Sequence, residues 1–259
     1  MYPATVPESG EPYAGWYLQF ATNRLGIAYT PTSLYADEID PQNWPDILAR
    51  PEVLLGISDP RFDSCGYRSL MLCQLAESYY DDPTLFETVV GNRFTSPLRV
   101  QNDQVSDILI PQILQPVSGS GLVMRGSSVR LLGLLQSGDL DYAFEYESVS
   151  AQMGLEFLAL PPQIDLSSDQ YADDYAQVRV RSDYQRFASV NPEFEGGPII
   201  YGITIPTNAP HPELAAAFIE MLLGAEGQAI FTAQYHPMII PAHADHPDAV
   251  PESLQALVN

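Results

Sequence analysis

The chain contains no lysine. All 11 of its basic residues are arginine, set against 33 Asp and Glu, which gives a formal net charge of −22 over 259 residues. So acidic a field repels phosphate backbones and anionic headgroups, and it excludes nucleic acid or a membrane surface as a partner recognised through bulk charge. It leaves room for a local anion pocket built from backbone amides. No stretch reaches 18 consecutive apolar residues, so no segment is apolar for long enough to cross a bilayer as a helix. The opening Met1-Tyr2-Pro3-Ala4-Thr5-Val6-Pro7 has no basic n-region and no apolar h-region, so no signal peptide is expected in the chain as written. Cysteine is scarce. Cys65 and Cys73 stand eight apart, ~12 Å along a helix at 1.5 Å per residue, beyond disulfide reach if both lie on one helix. There is no Walker A, G-x-S-x-G, H-E-x-x-H or G-x-G-x-x-G string, which removes the commonest nucleotide, hydrolase and zinc signatures.

What the chain does have is apolar material, 46% of its residues, enough for one large domain or two smaller lobes. Residues 1–15 read as irregular lead-in, and the aromatic, β-branched run 16–30 as two strands broken at Thr22-Asn23-Arg24. A short helix is expected over 43–50, with Asn43 or Gln42 near its cap, then a buried strand over 53–57. Helical spacing of Leu70, Met71, Cys73, Leu75 and Ala76 predicts a long helix from Asp63 to about Tyr80, and a second helix follows over 83–90. Residues 91–125 mix short apolar runs with Asn, Ser, Gly and Pro and give no clear pattern. Beyond them come a helix over 127–137 closed by Gly138, a strand over 141–146, a helix over 148–154 and a strand over 155–160. Residues 161–197 read as acidic loop, 198–206 as a strand, 212–223 and 225–234 as helices, and the tail from His236 as Pro-rich and irregular. Strands alternating with helices predict an α/β sheet covered on both faces, which binds ligands at the carboxyl ends of its strands.

Two such strand ends carry polar chemistry. In Asp63-Ser64-Cys65-Gly66-Tyr67-Arg68-Ser69 an acid, a small hydroxyl residue, Cys and Gly precede a helix. The structural reading is an Asp N-cap with a Gly easing a tight turn. The functional reading is that free helix-start N–H groups at Ser64, Cys65 and Gly66 face an oxyanion beside Asp63. Glu145 interrupts the apolar Ala143-Phe144-Glu145-Tyr146. Two-residue alternation can turn it to solvent; otherwise it sits where sheet ligands bind, next to the Tyr146 hydroxyl. Cys65 near a helix start invites a nucleophile with a lowered pKa, although no His lies anywhere near it in sequence. His236, His243 and His246 invite a zinc reading, against solvated loop histidines. Asp63 with Glu145 could also form a glycosidase-like acid–base pair.

Several strings together resemble one family, the archaeal-type tungstate/molybdate-binding proteins of ABC importers. They are WYLQFATNRLGIAYT, PEVLLGISDPRFDSCGYRSLM, LAESYY, SGDLDYAFEYESV, QMGLEFLALP and PIIYGITIPTNAPHPELAAAFIEMLLGAEGQ, in family order, from about residue 13 to 241. The D-x-C-G-Y-R-S and F-E-Y strings are specific, whereas the E-G-Q ending is shared more widely among substrate-binding proteins.

The resemblance implies an α/β, type II periplasmic-binding fold whose two lobes close on an oxyanion, with no cofactor and no catalytic residue. It implies that the Asp63 and Glu145 carboxylates bond the W or Mo atom and raise it to six-coordination. The helix-start amides at Ser64 and Cys65 would receive oxo groups, and Tyr146 is a weaker carry-over. Partners would be the permease and ATPase of an importer, with the binding protein a monomer held outside the cytoplasmic membrane by a lipid anchor. Family members run longer at the N-terminus. On that basis residues 1–25 and 201–259 are expected to be a partial lobe one and residues 26–200 a complete lobe two. Two further readings stand beside this one: an enzyme using the Asp63/Glu145 pair, and a non-functional truncated remnant.

Overall fold

The structure is a computed structural model and describes residues 13–185 and 192–259. The aromatic run near the start forms β1 (Leu18–Thr22) and β2 (Leu25–Tyr29), broken at Asn23-Arg24. There follow α1 (Trp44–Ala49), β3 (Leu55–Ser58), α2 (Ser64–Tyr80), α3 (Leu85–Val89), β4 (Arg99–Asn102), β5 (Ser106–Ile110) and β6 (Leu122–Arg125). Next come α4 (Val129–Ser137), β7 (Tyr142–Tyr146), α5 (Glu147–Gln152), β8 (Glu156–Leu158), α6 (Ala172–Tyr175), β9 (Val178–Ser182) and β10 (Glu193–Glu195). The chain ends with β11 (Ile200–Ile203), α7 (Pro212–Leu223), α8 (Ala225–Ala233) and β12 (Met238–Ala244). The α/β class expected from the alternation is what the structure shows.

The chain divides into two units, Arg24–Ile199 and Met1–Asn23 with Ile200–Asn259. The larger contains a five-stranded sheet in the order β6-β3-β7-β2-β8, with β3 parallel to both β6 and β7. Its other sheet has the order β10-β9-β5-β4. Helix α2 packs against β2, β3 and β7 of the first sheet and β5 and β9 of the second. That position explains its composition. Cys65, Gly66 and the unbroken run Ser69–Ala76 are buried, so the helix is apolar nearly all round instead of on a single stripe. Cys65 and Cys73 are both free, buried thiols on this helix. Trp44 at the start of α1 is fully buried, meets Phe144 edge-to-face at 6.3 Å and donates its indole N–H to the Tyr80 hydroxyl at 3.1 Å.

The smaller unit is an antiparallel sheet in the order β11-β1-β12 with α7 and α8. Ala216, Ile219, Leu222 and Leu223 of α7 are buried in its core, yet Leu214, Phe218 and Met221 are 64%, 53% and 38% exposed. The helix is therefore apolar on two faces, and the second one is uncovered among the described residues.

Two stretches expected to be irregular are ordered. The acidic stretch 161–197 contains β9, whose residues alternate inward Val178, Val180 and Ser182 with outward Arg179 and Arg181. Arg179 and Arg181 are held by Asp107 and Glu193 on the neighbouring strands. The Pro-rich tail forms β12 despite Pro241, because β12 is an edge strand and can place a residue without an N–H away from its neighbour.

Candidate functional site

Because β3, β6 and β7 run parallel, their carboxyl ends share one edge of the sheet, and each is followed by a helix whose start faces that edge. Asp63 is the N-cap of α2, in extended conformation (φ −129°, ψ 132°). Its Oδ1 accepts the Cys65 N–H at 2.9 Å, and its Oδ2 accepts the N–H of Ser128 at 2.8 Å. Ser128 is the N-cap of α4. One carboxylate thus ties two helix starts together and satisfies a donor at each. Gly66 is required by close approach: a Cβ there would lie 2.2 Å from the Ser58 carbonyl oxygen and 2.8 Å from the Pro60 nitrogen. Any side chain would push α2 off the end of β3.

Glu145 does not turn to solvent. It is 1% exposed, because β7 lies inside a sheet covered on both faces and alternation offers it no wet side. Its Oε1 accepts the Tyr146 N–H at 2.8 Å, while Oε2 is buried with no hydrogen-bond partner. Burial pushes its carboxyl from 4.5 up to about 7; the Tyr146 N–H and the nearby Ser128 side chain hold it down in part, and the charge of Asp63 raises it further. Neither Asp63 nor Glu145 takes part in an ion pair among the described residues. The contrast is Asp59, four residues upstream, clamped by Arg61 at 2.6 Å with both side chains largely buried.

The Tyr146 hydroxyl lies 3.1 Å from Ser64 Oγ and accepts from Arg68 Nη1 at 2.7 Å. The structure therefore brings Asp63, Ser64, Cys65, Glu145 and Tyr146 to one sheet edge. One expectation needs correction, and one alternative reading falls away. The Cys65 amide is not free for an oxo group, because the N-cap carboxylate takes it. Nor is Cys65 an activated nucleophile: it is fully buried, donates its thiol to the Phe144 carbonyl oxygen at 3.3 Å, and burial with two nearby carboxylates pushes its pKa well up. No group of three or more His, Cys, Asp or Glu able to hold a metal ion occurs among the described residues. His236 packs edge-on against Tyr201 and Phe231, and His243 and His246 are exposed.

Sequence reasoning passed over Ser128 and Arg68. Ser128 lies just beyond the stretch 91–125, at the start of the helix expected over 127–137, where its backbone N–H gives no signal of a distant acceptor. Arg68 was in view within the D-x-C-G-Y-R-S string, and its place one helical turn after Ser64 was the available signal.

The sequence profile of the bacterial extracellular solute-binding proteins matches residues 3–235. The chain belongs to this family. A solute-binding protein of Methanoculleus marisnigri is 44% identical over 245 residues, which are 95% of this chain and 67% of that protein. The molybdate/tungstate-binding protein WtpA of Thermococcus kodakarensis is 38% identical over 252 residues, 95% of this chain and 66% of that protein. The protein of the same name from Pyrococcus abyssi is 38% identical over 248 residues, 95% and 68% respectively. The chain spans about two thirds of the length of these solute-binding relatives. Membership agrees with the archaeal-type resemblance and the periplasmic-binding α/β fold expected from the sequence strings.

Proposed function

We propose that this solute-binding protein captures a tetrahedral tungstate or molybdate ion outside the cytoplasmic membrane and delivers it to the membrane permease of an ABC importer, whose other partner is its ATPase. Glu145 carries the reading: a carboxylate 1% exposed, with one oxygen unpartnered, at the carboxyl end of a parallel strand and in the field of Asp63. Burying such a group costs several kcal/mol unless something occupies it. A high-valent metal centre accepting hard oxygen donors is an occupant that gains from that oxygen. Asp63 Oδ2 and Glu145 Oε2 would complete six-coordination, with the hydroxyls of Ser64 and Tyr146 donating to oxo groups. Repulsion between a dianion and a carboxylate is ~4 kcal/mol per unit pair at 4 Å and an effective dielectric of 20, so bonding at the metal has to exceed it. Sulfate cannot expand its shell, and it meets the repulsion without the gain. The ligand is the cargo; no resident cofactor and no enzymatic step enter.

The larger unit is read as a complete lobe two and the smaller as part of lobe one, bounded near residues 25 and 200. The two-thirds coverage of the relatives and the uncovered stripe Leu214, Phe218 and Met221 support that assignment. Calorimetric titration with tungstate, molybdate and sulfate tests the function. Binding of the first two with sulfate at least a hundredfold weaker is expected; equal affinity for sulfate refutes metal coordination.

A further inference from the structure

Arg68 follows Ser64 by four residues, so both side chains leave α2 on one face. Both reach the same atom. Arg68 Nη1 is 2.7 Å and Ser64 Oγ 3.1 Å from the Tyr146 hydroxyl oxygen, and the guanidinium carbon lies 5.9 Å from the centroid of that ring. A guanidinium has donors only, so the phenol oxygen must accept from it. That contact fixes a lone pair toward Arg68 and leaves the phenol proton to point away from it, to Ser64 or to a bound anion.

Arg68 also differs from five of the chain's 11 arginines in what it lacks. Arg24, Arg50, Arg61, Arg179 and Arg181 each pair with a carboxylate, and Arg68 pairs with none among the described residues. Asp63 and Glu145 lie at the same sheet edge, but both carboxylates are left unpaired and the cation is spent on a neutral phenol.

We propose that Arg68 is a positioning residue for oxyanion binding that acts through Tyr146, holding its hydroxyl so that the proton passes from Ser64 Oγ to an oxo group when the ligand enters. The inference rests on the oxyanion reading of the site. It assigns the cation a role in aiming a donor, separate from any direct contact with the anion.

The test is a double-mutant cycle on the full chain with tungstate as the probe, using Arg68→Gln, Arg68→Lys, Tyr146→Phe and Arg68→Gln/Tyr146→Phe, each checked for native unfolding. Arg68→Gln is expected to weaken tungstate binding about tenfold, as for loss of one charge-assisted hydrogen bond. Arg68→Lys should recover part of that loss. With Phe at 146, Arg68→Gln should cost less than about twofold more. Equal cost in both backgrounds, or no cost at all, overturns the proposal. A ligand-free readout accompanies it: the 13Cζ resonance of Tyr146, assigned by its disappearance in Tyr146→Phe. It should shift in Arg68→Gln and return partway in Arg68→Lys, and a stationary resonance also overturns the proposal. Wild-type protein that takes up no tungstate while the resonance responds refutes the oxyanion reading and the role of Arg68 in it. Wild-type binding with an additive cycle refutes the Arg68 inference alone.

Discussion

Replacing Glu145 by Gln should make the ligand-free protein more stable, and more so as pH rises. Burial lifts the Glu145 carboxyl from 4.5 to about 7 in the folded chain. The folded state therefore holds a proton that the unfolded state has released between those two values, and stability falls as pH rises through that window. Below about pH 4.5 the group contributes no penalty; above about pH 7 the penalty is complete. At about 1.4 kcal/mol per tenfold, the rise from 4.5 to about 7 amounts to about 3 kcal/mol. Gln keeps the oxygen that accepts the Tyr146 N–H and carries no charge, so it escapes the penalty. The assay is urea unfolding of wild type and Glu145→Gln at pH 5, 6, 7 and 8, in a Trp16→Phe background. Only Trp44 then reports, and it lies in the core of the larger unit. Other raised carboxyls such as Glu77 and Asp165 are present in both proteins and cancel in the difference. The gap should be small at pH 5 and approach about 3 kcal/mol in favour of Gln at pH 8. A gap that does not change with pH refutes the argument that Glu145 is held uncomfortably in its site.

Asp63→Ala removes the acceptor from a donor at each of two helix starts, and should cost about 2 kcal/mol in urea unfolding as well as abolishing tungstate binding. Gly66→Ala drives a Cβ to 2.2 Å from the Ser58 carbonyl and should destabilise by about 3 kcal/mol. Gly133→Ala, in α4 with open space around the new methyl, should instead stabilise by about 0.5–1 kcal/mol on the same measurement. Leu214→Ser with Phe218→Ser should reduce light scattering at high concentration while shifting stability by less than about 0.5 kcal/mol, since both side chains are more than half exposed. Cys65 and Cys73, wholly buried with raised pKa values, should resist a thiol reagent in the native protein and react once it is unfolded.

Elements whose residues repeat at one period over a long enough run were legible in the sequence. The pair α7 and α8 and the strands on either side of Asn23-Arg24 follow from spacing and breakers, and the helix from Asp63 to Tyr80, buried nearly all round, follows from its Asp cap and a run from Tyr67 to Tyr80 free of Gly and Pro. Strands β9 and β12 were not, for two physical reasons. In β9 the outward positions are arginines neutralised by Asp107 on β5 and Glu193 on β10, and no local pattern reveals those cross-strand partners. In β12 a proline is tolerated only because the strand lies at an edge, which is a property of the sheet and not of the segment. The site shows the same division. Asp63 announces itself as an N-cap, and as a cap it also consumes the Cys65 amide that the reading of free helix-start donors had set aside for a ligand. Glu145 was ambiguous because alternation decides orientation only when one face of the sheet is wet. Ser128 reaches Asp63 across 65 residues, and only the parallel pairing of β3 with β6 brings them together.

The central claim is that Asp63 and Glu145 bond the metal of the anion. X-ray absorption at the tungsten edge, on protein loaded with tungstate and freed of excess by gel filtration, addresses it directly. The account requires six oxygen neighbours, two of them at longer distance, reverting to four or to loss of tungsten in Asp63→Asn/Glu145→Gln. Four equal oxygens in the wild-type protein, or no retained tungsten, would contradict it.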